Sequence, residues 1–286
     1  MTFAASVAAG PNAVESLRAA CASRPASLDV AVTRHRDLAV AWARSCRWID
    51  AHDDGDVLVV VDGRLHNAED DGVGAAELIS RRYRARGAEA AAGLLGDFVI
   101  IVLDRPAAHL LVARDPLGVR PWYQVASGGR HAGATDLATL VALPWVDTAL
   151  DEKMAIQFLA MVVESRGDTL YRAIKTLPPG ATRVLDDGRA RTLTHHRWQL
   201  RTDLDVGWDD AVERCRSLLD EAVRCRLRGS GPATSELSGG LDSSAVVGTL
   251  VGLRRDDLVA GRLVFDGPWA DERAYSDAVV EHWRIP

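Results

Sequence analysis

The chain is poor in lysine, in cysteine and in long apolar runs, and each shortage removes a class of function. Only two of its 34 basic residues are lysine, Lys153 and Lys175. Aspartate and glutamate number 40, so the net charge is −6. An acidic chain lacks the basic footprint on which general nucleic-acid binding rests. The preference for arginine, with abundant alanine, marks a GC-rich bacterial genome rather than a chemical requirement. The four cysteines, Cys21, Cys46, Cys215 and Cys225, form no Cys-x-x-Cys pair. That argues against a zinc knuckle and a dithiol redox site, and free thiols fit a reducing cytoplasm. No apolar run approaches the ~20 residues of a membrane-spanning helix. No basic segment followed by a long apolar stretch opens the chain, so no secretory signal is read. Repeats and low-complexity tracts are absent too. What is present is ordinary for a globular protein, 48% hydrophobic and 26% charged over 286 residues, enough for about two domains.

The first 145 residues read as short strands with a helix between strand groups. Strands are expected at Leu28–Val32, Leu38–Trp42 and Val57–Val61, the last ended by a turn at Asp62-Gly63. Helical spacing covers Ala75–Arg86. Phe98–Leu103 and Leu110–Ala113 flank Asp104-Arg105-Pro106 as a hairpin, and Val119–Val125 is expected to be a further strand. A helix at Glu152–Val163, a rigid Leu177-Pro178-Pro179-Gly180 turn and a hairpin around Asp186-Asp187-Gly188 lead to a boundary near Leu200. Beyond it, an amphipathic helix at Asp209–Arg228 precedes an alternation: strand Thr234–Leu237, helix Ser243–Leu253, strand Leu258–Phe265, helix Glu272–Trp283. That order predicts a parallel α/β sheet.

The most informative segment is Glu236-Leu237-Ser238-Gly239-Gly240-Leu241-Asp242-Ser243-Ser244. It follows a strand and opens a helix. Two glycines let backbone amides approach an anion, and a helix N-terminus supplies unpaired N–H groups and partial positive charge. Ser238, Ser243 and Ser244 add hydroxyls. The loop is a phosphate cradle in composition and position, but no Gly-Lys-Ser/Thr follows, so it is not a P-loop. A carboxylate beside polyphosphate makes sense when it holds Mg²⁺ between them, which makes Asp242 the candidate metal ligand. The plainer alternative is an ordinary Gly-Gly turn with a Ser/Asp helix cap.

The Ser-Gly-Gly-Leu-Asp-Ser-Ser string resembles the pyrophosphate-binding motif of the ATP-pyrophosphatase superfamily. Upstream, Val61-Asp62-Gly63-Arg64-Leu65-His66-Asn67, Leu95-Gly96-Asp97-Phe98 and Ala113-Arg114-Asp115-Pro116-Leu117-Gly118-Val119-Arg120-Pro121-Trp122-Tyr123 resemble the glutaminase-type domain of asparagine synthetases. Lys175-Thr176-Leu177-Pro178-Pro179-Gly180 resembles that domain's end, and Asp271-Glu272-Arg273-x-Tyr275 a stretch of the synthetase domain. The resemblance implies an α+β N-terminal-nucleophile-like domain over 1–200, followed by an incomplete α/β ATP-pyrophosphatase domain over 201–286. It implies ATP and Mg²⁺ at Ser238, Gly239, Gly240, Leu241, Asp242, Ser243 and Ser244. It assigns Arg114 and Asp115 to support of the fold. In a working glutaminase it would place Asn67 and Asp97 on the glutamine amino-acid group.

The family glutaminase uses an N-terminal cysteine, whereas this sequence opens Met1-Thr2-Phe3. The resemblance then implies an inactive glutaminase-type domain and an amine supplied by the substrate itself. Two branches of the family work so, the β-lactam synthetases and the lasso-peptide cyclases, and the Asp266–Arg273 stretch looks more like the latter. The expected reaction is macrolactam formation on a ribosomal precursor peptide through an acyl-adenylate. An ammonia-using synthetase and a non-catalytic peptide- or nucleotide-binding half of a split enzyme are the alternatives. The family's further helical stretch, with a second acidic Mg²⁺ ligand and a lysine for the acyl-adenylate, has no counterpart before Pro286, and neither Lys153 nor Lys175 is placed to serve. No catalytic residue is therefore expected within the chain. A truncated product, a split subunit or a fragment is expected, marginal in its second domain and inactive or partner-dependent alone. The implied partners are the precursor peptide, a polypeptide supplying the rest of the synthetase, and leader-binding and leader-protease proteins, with no nucleic acid and no membrane span.

Overall fold

The computed structural model describes residues 5–285 except 11, 23–28, 45, 68–71, 163, 165–166, 187, 204, 229–230, 254–256, 265–266 and 268–270, with backbone alone at 19–22. It divides into two units, Met1–Gln199 and Leu200–Pro286. Thr2 lies outside the described residues, as does Asp266.

In chain order the first unit comprises β1 (Ala5–Ala9), α1 (Ala13–Ala22), β2 (Val30–His35), β3 (Leu38–Ala43), β4 (Ile49–Asp53), β5 (Val57–Leu65) and α2 (Ala75–Arg86). There follow β6 (Gly96–Asp104), β7 (His109–Arg114), β8 (Tyr123–Ser127), β9 (Arg130–Ala134), α3 (Leu137–Val141), α4 (Glu152–Leu159), β10 (Lys175–Thr176), β11 (Ala181–Asp186) and β12 (Arg189–Thr194). The strands form two six-stranded antiparallel sheets, ordered β10-β8-β9-β1-β3-β2 and β12-β11-β7-β6-β5-β4.

Alternation along β5 shows how the layers arise. Leu58 and Val60 point into the core between the sheets, with Val99, Ile101 and Val112. Val57, Val59 and Val61 point the other way, onto Ile79 and Tyr83 of α2. Because both faces are covered, the strand reads as an unbroken apolar run rather than an alternating one. On the far side of the first sheet, Leu17 of α1 packs on Ala39 and Ala41, and Leu140 of α3 on Val125 and Ala134. The unit is thus a four-layer α/β/β/α sandwich, the α+β architecture expected.

Several expectations need correcting. Asp62-Gly63 is no turn: β5 runs on to Leu65. Gly63 has φ +128°, and a Cβ there would lie 1.9 Å from the Asp97 carbonyl oxygen, so the glycine permits close strand approach rather than reversal. Its neighbour Asp62 is buried, 3.6 Å from Arg120, and desolvation raises its pKa. The strand expected at Val119–Val125 begins only at Tyr123, because residues 115–121 are occupied by a turn. There, buried Asp115 accepts from the backbone N–H groups of Leu117 (3.0 Å), Val119 (3.0 Å) and Arg120 (2.9 Å). Arg114 donates to the carbonyls of Arg120 (2.7 Å), Leu177 (2.6 Å) and Gly118 (2.7 Å). The strand expected at Leu28–Val32 starts at Val30 and reaches His35, with Leu28 outside the described residues. The helix from Glu152 ends at Leu159. β1, α1, β4, β9 and α3 were not anticipated.

Beyond β12 the chain folds back on the Leu177–Gly180 turn. The N–H groups of His195 and His196 both donate to the Gly180 carbonyl, at 2.9 and 3.1 Å. His195 Nδ1 shares a 2.8 Å hydrogen bond with Thr182 Oγ1, while its Nε2 is buried without a partner in the described structure. Burial, aided by His196, pulls the imidazole pKa from 6.5 to about 4. The unfolded chain therefore takes up a proton below pH 6.5 that the folded chain refuses until about pH 4. We expect stability to fall across that window, by on the order of 2 kcal/mol from this group after allowance for its partial exposure. Thermal melts between about pH 7.5 and pH 4.5 on the wild type and His195→Asn test this. Identical acid slopes in the two proteins would refute it.

The second unit comprises α5 (Trp208–Leu227), β13 (Ala233–Glu236), α6 (Leu241–Leu253), β14 (Leu258–Gly261) and α7 (Arg273–Trp283). β13 and β14 pair in parallel, with Ala233 opposite Leu258 and Glu236 opposite Gly261. The parallel strand–helix–strand order is as expected, though β14 stops at Gly261 rather than Phe265, with 262–264 irregular and Phe265 outside the described residues. Val223, Val247, Leu250 and Leu258 form its core.

Candidate functional site

β13 delivers the chain into Leu237, whose N–H donates to Gly261 at 2.8 Å and so ties the loop to the end of β14. The next residues leave the sheet at its carboxyl edge, where open parallel sheets place ligands. Ser243 Oγ closes the loop on itself. It accepts from Ser238 N (3.3 Å), lies 3.1 Å from Ser238 Oγ and donates to the Gly240 carbonyl (3.4 Å). Gly240 N donates to Ser238 Oγ at 3.3 Å, and α6 starts with Ser244 N donating to the Gly240 carbonyl. The N–H groups of Leu241, Asp242 and Ser243 belong to the first helical turn and have no acceptor within the helix.

The two glycines do different work. Gly239 has φ +86°, and a Cβ there would lie 2.5 Å from Tyr275 atoms and 2.6 Å from Ser276 N. It lets the loop press on the start of α7. Gly240 is exposed, and its nearest neighbour would be Ser238 Oγ at 3.4 Å, so it keeps the outer face open. Leu241 and Asp242 are exposed, and Ser244 Oγ is buried with no partner in the described structure. The structure thus brings all seven expected residues onto one strand–loop–helix junction.

A pocket of about 140 Å³ adjoins Ser238 and is lined further by Arg262, Glu272 and Ser276. Arg262 donates to Ser276 Oγ at 2.7 Å and pairs with Asp277. Sequence reasoning passed over this arginine. The available signal was its position, the first charged residue past β14, at the same carboxyl edge as the loop. Nearby, the Arg273 guanidinium grips Asp271 through two bonds of 2.7 and 2.6 Å and holds that carboxyl at about 2. Among the described residues no group of three or more metal-ligating side chains exists, so they form no all-protein metal cage around Asp242. That suits Mg²⁺, which commonly takes one or two carboxylates and completes its shell with phosphate oxygens and water.

In the first unit, Asn67 is spent on structure. Its Nδ2 donates to the Gly93 carbonyl at 2.8 Å and its Oδ1 accepts from Leu95 N at 2.7 Å. Asp97 lies 3.2 Å from His66 Nε2. The guanidinium carbons of Arg47 and Arg64 stand 4.2 and 4.0 Å from the Trp48 ring centroid. Lys175 is taken by Asp168 at 2.7 Å. Cys46, Cys215 and Cys225 are free.

A glutamine amidotransferase domain model matches residues 53–198, and an asparagine synthase model matches 214–286. A putative glutamine-hydrolysing asparagine synthetase of Methanocaldococcus jannaschii is 24% identical over 249 residues, 82% of this chain and 48% of that protein. Asparagine synthetase 3 of Bacillus subtilis is 26% identical over 161 residues, 56% of this chain and 26% of that protein. An amidase of Penicillium rubens, chyE, is 27% identical over 232 residues, 73% of this chain and 33% of that protein. The chain therefore spans about half or less of the length of these curated relatives. No helix among the described residues is long and apolar enough to cross a membrane. With half of its length matched by the amidotransferase model and the strand–loop–helix junction inside the synthase match, the chain belongs to the glutamine amidotransferase domain family, in its asparagine synthetase-like branch.

Proposed function

We propose that the second unit binds ATP and that the protein uses it to form a macrolactam within a ribosomal precursor peptide. The observation that carries the nucleotide site is the junction itself. An unpartnered buried Ser244 hydroxyl, a helix N-terminus and an exposed carboxylate converge on one loop. The first two suit phosphate oxygens, and Asp242 would hold Mg²⁺ against them. When bound, the ion would neutralise phosphate charge. The chain's own contribution is to position and orient: Ser243 fixes the loop, and the N–H groups of the first turn of α6 face the β- and γ-phosphates. A substrate carboxylate attacks the α-phosphorus and releases pyrophosphate, leaving an acyl-adenylate. An amine of the same substrate attacks the acyl carbon, loses its proton and expels AMP, closing an amide ring.

The choice of a substrate amine over glutamine-derived ammonia is supported by the first unit. Both polar atoms of Asn67 are bonded to backbone, and Asp97 already faces His66. A β-lactam synthetase-like ring closure differs only in the size of the substrate. Two of the relatives are named glutamine-hydrolysing asparagine synthetases, and asparagine formation, here with free ammonia in place of glutamine, is the second reading.

The test is mass spectrometry of precursor peptides incubated with ATP, Mg²⁺ and the chain, alone and with polypeptides encoded beside it. Loss of one water from the peptide with equal AMP and pyrophosphate is expected. No glutamate should be released from glutamine. Asparagine from aspartate and ammonia, with no peptide product, would replace the macrolactam reading, and glutamate release above a blank would overturn the assignment of the first unit.

A further inference from the structure

A cavity of about 240 Å³ lies between the two sheets of the first unit, at the end where β1 finishes and β9 begins. It exists because small residues line part of the first sheet's wall: Ala9, Ala126 and Gly133 stand where larger side chains would fill the gap. Trp122 lies over Gly133, whose Cβ would come within 2.4 Å of the indole. Val7, Leu110 and Trp122 make the lining apolar.

The polar groups of this cavity are not those of an ordinary core. Arg183 sits in β11 between Ala181 and Leu185, which both belong to the intersheet core. A period of two therefore aims the arginine inward as well. Its NH1 donates to Thr192 Oγ1 at 2.9 Å, directly across in β12. No carboxylate pairs with it among the described residues: Asp186 on the same strand is taken by His109 at 3.2 Å, and Asp168 by Lys175, a second cation lining the cavity, at 2.7 Å. Burial draws its guanidinium below the ordinary value. The side chains of Gln124 and His131 line the same cavity with no hydrogen-bond partner among the described residues. A half-buried cation without a counter-charge is costly, and an anionic ligand removes that cost.

We propose that this cavity binds a small organic monocarboxylate with an aromatic or branched aliphatic body. The carboxylate lies on Arg183, within reach of Gln124 and His131, and the hydrocarbon lies against Trp122, Val7 and Leu110. The volume equals that of about eight liquid waters, which sets the ligand below drug size, near a dozen non-hydrogen atoms. The site is separate from the Ser238–Ser244 loop and does not depend on the nucleotide reading.

Isothermal titration of the whole chain with 4-phenylbutyrate tests it, with 4-phenylbutylamine and 4-phenylbutanol as controls. The acid is expected to bind with a Kd of about 10–100 µM, and the amine and alcohol at least tenfold more weakly. Arg183→Gln should weaken the acid at least tenfold, and Arg183→Lys less. Ala126→Leu, at an exposed position on the mouth, should block it without touching the arginine, which keeps the test valid if Arg183→Gln fails to fold. No binding at millimolar acid, equal binding of the alcohol, or acid binding unchanged in both Arg183→Gln and Ala126→Leu would each overturn the proposal.

Discussion

In the enzyme completed by the rest of its synthetase domain, Asp242→Asn is expected to lower pyrophosphate release from ATP by roughly 10²–10³-fold, the loss of a transition-state interaction of about 3–4 kcal/mol. The change removes one negative charge and retains the side chain's shape. Asp242 is exposed and caps nothing in the described structure, so the melting temperature should stay within about 2 °C of the wild type. Loss of activity with the fold intact is the signature of a metal and phosphate site rather than a helix cap. The Mg²⁺ dependence of ATP binding, followed by titration calorimetry, should flatten in the same variant. A near-normal rate of pyrophosphate release in Asp242→Asn would remove Asp242 from the site, whatever the fate of the loop.

The largest effect on stability is expected at Asp115→Ala. The Asp115 side chain is buried and accepts three backbone N–H groups of the turn that follows β7. Each buried donor left without an acceptor costs about 1–3 kcal/mol. Water entering the loosened turn will satisfy some, so the expected loss is about 4 kcal/mol, in the rare tail for single substitutions. For a unit of this size that lowers the melting temperature by about 8–16 °C. Asp115→Asn keeps one acceptor oxygen and should lose about half as much. Differential scanning calorimetry of the three proteins decides the matter. An Asp115→Ala transition within 2 °C of the wild type would show that the turn is held by Arg114 and main-chain hydrogen bonds without the Asp115 carboxylate.

Where periodicity and turn chemistry agreed, the fold could be read from the chain. The helix at Ala75–Arg86 appears with the expected bounds, since Ile79 and Tyr83 form a stripe and Gly87 follows at a positive φ. β1 and β9 could not be read, because Ala-Ser-Val-Ala-Ala and Arg-His-Ala-Gly-Ala contain a single β-branched residue between them. Their strand character comes from pairing with each other, and of β1 with β3 and β9 with β8. Gly63 looked like a turn because a glycine after an aspartate usually is one; only the partner strand reveals that it clears the Asp97 carbonyl. The site was legible at Ser238–Ser244 because its glycines, serines and carboxylate are contiguous. Arg262 was not, because its proximity to Ser238 is created by the parallel pairing of β13 with β14.

β1 occupies an interior place in its sheet, and Ala5 exchanges hydrogen bonds with Thr135, 130 residues later. During synthesis at about 5–20 residues per second, one edge of β1 waits roughly 6–26 s before β9 leaves the ribosome. β3 covers the other edge much sooner. The first unit therefore passes through a half-closed nascent state whose open side is a short, alanine-rich strand. So few large apolar side chains on that edge make it a poor template for pairing with neighbouring nascent chains. The same small residues that make β1 hard to recognise protect it while it waits.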